Sequence, residues 1–279
     1  MDRFQFPNDF QYLDLIDPPK ADVNSKDKLS RLHNRYKLQA KWTVEVRRKL
    51  LAQIQLPDAA NVLEVGSGTG AITSELAEIF KWKIFGVDID LSVTAFAHGM
   101  DQKTRYVVAD GLRLPFKTNF FDLTLSHFLL LWVKNPDGIL SEMRRVAKPG
   151  CQILALAEPD YGGRIDYPDA LIEIGQLQAD ALIHQGADPR MGRKLRALFH
   201  QAELEDVQAG VLGGEWRVSN LEESFESEWI TLMEDLAGVI SEGKLKDLRE
   251  LDRDAQKYGS RILYVPTFYA LGRVPIKTQ

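Results

Sequence analysis

The segment from Asn61 to Gly70, NVLEVGSGTG, is a run of strand-forming residues that ends in three glycines spaced two apart. Backbone in such a turn can approach a ligand closely, because glycine carries no Cβ. A helix that begins there presents free N–H groups and a partial positive charge at its N-terminus. The segment therefore predicts that a ligand with a carboxylate or a phosphate binds at the carboxyl edge of a parallel sheet.

Strand-like and helix-like segments alternate after the glycines. Strands are predicted at 62–65, 83–87, 106–109, 121–126 and 152–156, with a further strand from 207 and a last one at 268–271. Helices are predicted at 71–80, 91–99 and 137–147, and the Pro149-Gly150 pair is expected to end the third helix. This alternation favours a parallel sheet with helices on both faces.

The spacing of the glycines alone fits two cofactors. Gly66, Gly68 and Ala71 satisfy the dinucleotide fingerprint G-x-G-x-x-G/A. Asp88, at the end of the second predicted strand, would then hold a ribose. The turn by itself therefore leaves NAD open as the ligand.

Five blocks in order resemble the motifs of the class I S-adenosylmethionine-dependent methyltransferases. They are EVGSGTG at 64–70, VDID at 87–90, ADG at 109–111, LPF at 114–116 with FFD at 120–122, and EMRRVAKPG at 142–150. Together they cover roughly residues 60–157. The resemblance implies a Rossmann-like α/β fold, with a seven-stranded, mostly parallel sheet, an antiparallel last strand, helices on both faces and helical cap insertions.

The same resemblance implies that the chain binds S-adenosyl-L-methionine. It assigns the cofactor to Glu64, Gly66, Ser67, Gly68, Gly70, Asp88, Ile89, Asp110, Gly111 and Ser126. Asp88 would accept hydrogen bonds from the ribose hydroxyls and Asp110 from the adenine amino group. Glu64 is expected in the glycine turn near the ammonium of the methionine part, where an acid would repel the pyrophosphate of NAD. A loop brace for Glu64 and a turn or helix cap for Asp110 stay open.

The acceptor is expected just past the fourth and fifth strands. His127 is the candidate catalytic residue, as a base or an orienting group; a histidine satisfied by backbone is the alternative. Asp160, Tyr161 and Arg164 are candidate substrate contacts, and a polar loop with a local ion pair is the alternative. Trp42 is a further candidate that would close on the ligand, with core packing left open.

Several function classes are disfavoured. The formal net charge of −5 argues against a broad nucleic-acid surface. Nucleic-acid amino-methyltransferases carry an N/D-P-P-Y/F/W run after the fourth strand, where this chain reads SHFL. The single cysteine, Cys151, is expected to be a small core residue rather than a nucleophile. No metal is expected, because no His and Cys cluster has ligand spacing.

The 279 residues fit one large domain with a cap. Residues 1–58 are assigned to an N-terminal arm and helical cap, and 59–279 to the methyltransferase domain, with helical insertions near 165–190 and 220–258. Residues 219–222 read S-x-x-E, a capping box that would open the second insertion. Its apolar residues Phe225, Trp229 and Met233 would wall a substrate pocket, pack a homodimer partner or pack in the core. The charged helix at 244–257 is expected to be solvated.

The sequence predicts no signal peptide and no apolar run long enough to span a membrane. We therefore expect a cytoplasmic protein without a membrane partner. The expected function is methyl transfer from S-adenosylmethionine to an oxygen, nitrogen or carbon of a small molecule. A non-catalytic regulatory protein that binds S-adenosylmethionine and an NAD-dependent oxidoreductase are the alternatives.

Overall fold

The computed structural model of the chain describes residues 23–211 and 221–276. The arm expected before residue 23 lies outside the described residues. The capping box that starts at residue 219 and the strand predicted from residue 207 lie partly outside them.

Seven strands form one sheet. This confirms the predicted fold class, a Rossmann-like α/β fold with a seven-stranded, mostly parallel sheet. The strands are β1 (Asn61–Val65), β2 (Lys83–Asp88), β3 (Arg105–Val108), β4 (Phe121–Ser126), β5 (Ala147–Pro159), β7 (Glu205–Val211) and β9 (Thr267–Arg273). Their order across the sheet is β3-β2-β1-β4-β5-β9-β7. The neighbours from β3 to β5 pair in parallel, while β9 is antiparallel to both β5 and β7. The carboxyl ends of β1, β2, β3, β4 and β5 therefore meet at one edge.

Helices cover both faces of the sheet. They are α1 (Val23–Trp42), α2 (Val44–Ala52), α3 (Ala71–Ile79), α4 (Leu91–Met100), α5 (Pro136–Val146), α6 (Ile172–His184), α7 (Leu195–Gln201), α8 (Leu221–Asp235) and α9 (Glu242–Lys257). Successive strand residues point to opposite faces. Leu63 and Val65 accordingly pack in one core cluster with residues of α5 and α7, while Val62 packs in another with residues of α2 and α3.

A third core cluster lies away from the sheet, in the insertion helices α6, α8 and α9, which are called the cap from here on. It joins residues of α6, α8 and α9, and its largest fully buried side chains are Phe225 and Trp229. These two α8 residues are therefore core residues, whereas Met233 is exposed. The cap also includes a two-stranded antiparallel ribbon of β6 (Ile165–Tyr167) and β8 (Ile262–Tyr264). No periodic pattern in the sequence predicted this ribbon, because three-residue strands are too short to show one.

Two local predictions were inaccurate. The backbone turns extended at Ala147, so α5 ends at Val146 and Pro149-Gly150 lies inside β5 rather than marking the helix end. The helix predicted at 244–257 was expected to be solvated, but Asp252 of α9 is fully buried. Asp252 accepts hydrogen bonds from Trp229 and Arg261. A buried carboxylate can be retained in this way when it is paired.

Candidate active site

The glycine turn connects β1 to α3 at the carboxyl edge of the sheet. The N–H groups of Gly66 and Ser67 both donate to the carbonyl oxygen of Val87, at 2.8 and 2.9 Å, which fastens the turn to the end of β2. Gly66, Gly68 and Gly70 have φ angles of +75°, +50° and +82°. Only glycine adopts this left-handed region without strain, so the backbone path itself requires the three glycines.

Protein side chains occupy the space that the glycines leave open. A Cβ on Gly66 would lie 2.6 Å from Leu129, one on Gly68 would lie 3.0 Å from the Tyr36 ring, and one on Gly70 would lie 2.4 Å from the Tyr106 hydroxyl. The sequence argument took the missing Cβ atoms as room for a ligand. In the structure they also make room for packing against the turn, by Tyr36 from α1 and Leu129 from the segment after β4.

Glu64 lies in β1, before the turn, and its side chain is fully buried. Burial raises its pKa to about 8, although the charge of Arg47 and hydrogen bonds from Thr73 lower it. One carboxyl oxygen, Oε2, has no hydrogen-bond partner. Its surroundings, Thr73 of α3 and Arg47 of α2, are those of a brace beneath the turn, which is the alternative that the sequence left open.

Asp88 joins the end of β2 to the glycine turn. Its Oδ2 accepts the N–H of Gly68 at 2.8 Å, and its Oδ1 accepts the N–H of Asp90 at 3.0 Å. A carboxylate has roughly four lone-pair sites, so about two remain for other donors. Asp88 can therefore hold the turn and accept two ribose hydroxyls at the same time.

Asp110 and Gly111 follow β3 at the same edge. Asp110 is exposed, and its Oδ1 accepts the N–H of Leu112 at 2.9 Å, which is the turn that the sequence left open for it. A Cβ on Gly111 would lie 2.7 Å from Ile139, so this glycine is needed for packing. Ile89 is 71% and Leu112 is 40% exposed. These apolar surfaces next to Asp88 and Asp110 suit the faces of an aromatic ring.

Several buried polar atoms at this edge have no hydrogen-bond partner. They are Oε2 of Glu64, Oγ of Ser67, Oγ of Ser126 and Nε of Arg47. Ser126 ends β4 and pairs in register with Val65 of β1, so it lies directly beside the turn. An unsatisfied buried polar group costs about 1–3 kcal/mol, which a ligand with polar groups would offset. The hydroxyls of Ser67 and Ser126 thus fit the polar atoms of a cofactor.

His127 is held by the N-terminal helices. Its Nε2 lies 2.9 Å from Oγ1 of Thr43, the residue between α1 and α2. The buried guanidinium of Arg47 donates to the same hydroxyl and to the carbonyl of Ala40, both at 2.6 Å. Burial, and then the positive charge of Arg47, lower the pKa of His127 to about 3. The imidazole is therefore neutral near pH 7, and its partner is a side chain rather than backbone.

The residues after β5 separate into different roles. Asp160 forms a bidentate ion pair with Arg193, with Nη2 2.8 Å from Oδ1. Arg164 is buried in a bidentate pair with Asp166, at 2.7 and 3.0 Å. The Tyr161 hydroxyl forms no hydrogen bond within the described residues, and burial, then the negative charge of Asp235, raises the pKa of Tyr161. Of the three candidates, Tyr161 alone keeps a hydroxyl for a substrate.

Trp42 is the remaining candidate from the sequence. Trp42, at the end of α1, is 47% exposed, so its indole is not a core residue. Glu158, which was not singled out, is fully buried and accepts the N–H groups of Leu129, Leu130 and Leu131 at 2.7–3.2 Å. It caps the short helical turn at Leu130–Trp132 that follows His127, so it supports the acceptor side from below.

Sequence reasoning assigned no specific role to three residues that shape the site. Tyr36 covers Gly68, His33 Nδ1 lies 3.0 Å from Thr69 Oγ1 in the turn, and Arg47 lies between Thr43 and Glu75 of α3. None belongs to a motif. Helical periodicity predicted that they lie in helices ahead of the first strand, and the family resemblance suggested that such helices fold over the cofactor pocket.

Part of the chain is similar in sequence to known methyltransferases. Residues 63–155 match the model of a family described as a methyltransferase domain. A malonyl-[acyl-carrier protein] O-methyltransferase of Marinomonas sp. is 32% identical over 145 residues, which cover 49% of this chain and 53% of that protein. A demethylmenaquinone methyltransferase of Corynebacterium urealyticum is 39% identical over 118 residues, which cover 42% of this chain and 47% of that protein. The chain spans about half the length of the curated relatives that it matches.

A solved structure shows the same fold. It is phosphoethanolamine N-methyltransferase 2 of Haemonchus contortus, in complex with phosphomonomethylethanolamine and S-adenosylhomocysteine. Its TM-score is 0.57 at 16% identity, over 85% of this chain and 53% of that one. Residues 63–155 therefore match a methyltransferase domain, and the chain as a whole has the fold of this solved methyltransferase.

Two features are absent from the described residues. No helix among them is long and apolar enough to cross a membrane. No group of three or more His, Cys, Asp and Glu in the same residues could hold a metal ion.

Proposed function

We propose that the protein is an enzyme that transfers the methyl group of S-adenosyl-L-methionine to an oxygen, nitrogen or carbon of a small molecule. The observation that carries the proposal is the position of Asp88. Its carboxylate holds the glycine turn through Gly68 and keeps lone pairs free at the carboxyl edge of β2. A nucleoside bound at this edge would meet the carboxylates of Asp88 and Asp110 along the apolar surface of Ile89.

The methionine part would lie over the glycine turn. There the unpartnered hydroxyls of Ser67 and Ser126 would gain hydrogen bonds. The N–H groups of the turn and of the α3 N-terminus favour a carboxylate. Glu64 would act through the turn that it braces, because its carboxyl is buried among Arg47 and Thr73.

The cofactor supplies an activated methyl group, so the main task of the chain is to position the acceptor and exclude water. A histidine whose pKa is about 3 holds no proton near pH 7 and is a weak base there. We therefore assign His127 the role of orienting the acceptor by a hydrogen bond. Tyr161, whose phenol stays protonated, would donate a second hydrogen bond, and the exposed indole of Trp42 would cover the acceptor.

The acceptor is proposed to be a small molecule rather than a nucleic acid. The net charge of −5 opposes phosphate backbones. The names of the two relatives describe action on malonyl-[acyl-carrier protein] and on demethylmenaquinone, neither of which is a nucleic acid. Methyl-labelled S-adenosylmethionine, incubated with the protein and a cell extract, is expected to label the small-molecule fraction. Label confined to nucleic acid would reject this acceptor class.

Calorimetry tests the cofactor directly. S-adenosylhomocysteine should bind, and Asp88→Ala should weaken it by about 1.5–3 kcal/mol, because a charged hydrogen-bond acceptor is lost. Asp58→Ala is the matched control, since its carboxylate forms only an exposed pair with Lys81. Binding of NADH without any response to S-adenosylhomocysteine would overturn the assignment, and an unchanged affinity in Asp88→Ala would show that the ribose is held elsewhere.

A further inference from the structure

Helix α1 contacts both the glycine turn and the cap. On one side, the Tyr36 ring lies 3.0 Å from the position of a Cβ on Gly68, and His33 pairs with Thr69. On the other side, α1 contacts α8. The Tyr36 hydroxyl also lies within electrostatic reach of Asp88. A ligand that lies over the glycine turn and contacts Asp88 would therefore lie beside Tyr36.

Arg35, next to Tyr36, ties α1 to the end of α8. Its Nη1 lies 2.7 Å from Oε2 of Glu234, and its Nη2 lies 2.7 Å from Oδ1 of Asp235. The Asp235 side chain is almost fully buried. Its second oxygen accepts Nε2 of Gln178 at 2.9 Å, and Oε1 of Gln178 accepts Nη1 of Arg164 at 2.7 Å. A continuous chain of hydrogen bonds thus runs from α1 to the segment after β5.

The end of α8 breaks a rule of helix electrostatics. Carboxylates are unfavourable in the last turn of a helix, where the dipole is negative. Glu234 and Asp235 lie there, and that turn contains no basic residue. A cation from outside the helix has to compensate them, and Arg35 is in that position. Local rules of this kind are broken mainly at functional sites.

The middle of α1 and its C-terminal end are held differently. Near its C-terminus, Arg47 fixes the helix through Ala40 and Thr43, independently of the cap. The part that carries His33 and Tyr36 is joined to the cap through Arg35. Loss of the Arg35 ion pair would therefore free the part of α1 that covers the glycine turn and leave its C-terminal end anchored.

We propose that Tyr36 is a further cofactor-contacting residue, carried on α1 as a cover, and that Arg35 is the positioning residue that holds this cover closed through Asp235 and Glu234. The inference rests on the proposed function, because it takes the bound molecule to be S-adenosylmethionine. It predicts that the cap, 200 residues away in sequence, sets how long the cofactor stays bound. Cofactor affinity and cap structure are then coupled.

The test measures S-adenosylhomocysteine affinity and dissociation rate in the full chain, with hydrogen exchange of α1. Tyr36→Ala and Arg35→Met should each bind about tenfold more weakly, mainly through faster dissociation, and Arg35→Met should lose the ligand-induced protection of α1. Arg48→Met is the matched control, because Arg48 is exposed on α2 and pairs only with exposed Glu45. It should stay within about twofold of the unmodified protein.

The double variant Arg35→Met with Asp235→Asn separates the cover from folding. It removes both charges of the buried pair, so the unfolding midpoint should recover, while affinity should stay about tenfold weaker. Recovery of affinity together with stability would overturn the inference, as would wild-type affinity in both single variants. If the unmodified protein does not bind S-adenosylhomocysteine, the proposed function fails first and this inference falls with it.

Discussion

The carboxyl edge of the sheet and the cap both bury charged and polar side chains, but they satisfy them differently. In the cap, Arg164 and Arg261 share the carboxylate of Asp166, and Arg261 also pairs with Asp252. At the sheet edge, one carboxyl oxygen of Glu64 and the hydroxyls of Ser67 and Ser126 have no partner. Among the described residues, the polar atoms without a hydrogen bond in the cap and in α1 are Nε of Arg35, Nε of Arg249 and Nη2 of Arg261, and each of these guanidinium groups is ion-paired.

The difference in pairing indicates which polar groups stabilise the fold and which are available to a ligand. A network whose members are paired holds a local fold together, because each charge removed would leave another uncompensated. Polar groups left unpaired in a folded protein cost free energy and mark a place where something else binds. We therefore interpret the cap network as structural and propose the sheet edge as the binding site.

The largest expected effect is on the cap. Arg164→Met should lower the free energy of unfolding by about 3–5 kcal/mol, because Asp166 and Glu228 lose a buried guanidinium. Urea denaturation measures this change. The control is the exposed pair of Arg48 and Glu45, where Arg48→Met should cost under about 1 kcal/mol. A loss of similar size in both variants would show that the cap network contributes no more to the free energy of unfolding than a surface pair does. That result would contradict the difference drawn here between the cap and the sheet edge.

An intermediate effect concerns Glu64 and pH. Its folded pKa of about 8 lies above the ordinary value of 4.5, so the folded protein holds a proton that the unfolded chain releases. The stability contributed by this group is complete below pH 4.5 and is lost as pH rises through 8. Between pH 7 and 8 the free energy of unfolding should fall by about 1 kcal/mol from this group.

Glu64→Gln should flatten the stability profile in that interval. Two further buried glutamates among the described residues, Glu158 and Glu228, have pKa values raised to about 7, and they contribute mostly below that pH. Urea unfolding at pH 7, 7.5 and 8 in both proteins gives the slopes. An equally steep fall in Glu64→Gln would mean that another group titrates there and that the buried carboxyl beneath the turn is already ionised.

Sequence predicted the sheet edge better than the cap, for a physical reason. The glycine turn, Asp88 and the strand alternation are local patterns, and parallel strands bring their carboxyl ends together whatever the rest of the chain does. Asp88 was therefore placed beside the turn before any contact was known. The positive φ angles of Gly66, Gly68 and Gly70 are ones that glycine adopts without strain, so residue type permits this turn.

The cap depends on pairs that have no local signature. Arg35 and Asp235 are 200 residues apart, and neither stands in a motif. Asp252 belongs to a helix whose alternating charges indicated solvent, yet it is fully buried because Trp229 and Arg261 donate to it. Asp160 and Arg164 were taken for substrate contacts for the same reason: charge and position after β5 were visible, but their partners Arg193 and Asp166 were not.

The smallest expected effect gives the sharpest test, because it compares two hydroxyls of one strand. Ser126 and Thr124 both lie in β4, both are buried and neither hydroxyl has a partner, but only Ser126 reaches the carboxyl edge. Ser126→Ala should weaken S-adenosylhomocysteine by about 0.5–1.5 kcal/mol, the usual worth of one hydrogen bond, and leave the unfolding free energy unchanged or slightly higher. Thr124→Val should change stability in the same way and leave affinity as it was. If both substitutions weaken binding equally, or neither does, then an unpartnered hydroxyl does not mark the cofactor site, since position at the sheet edge would make no difference.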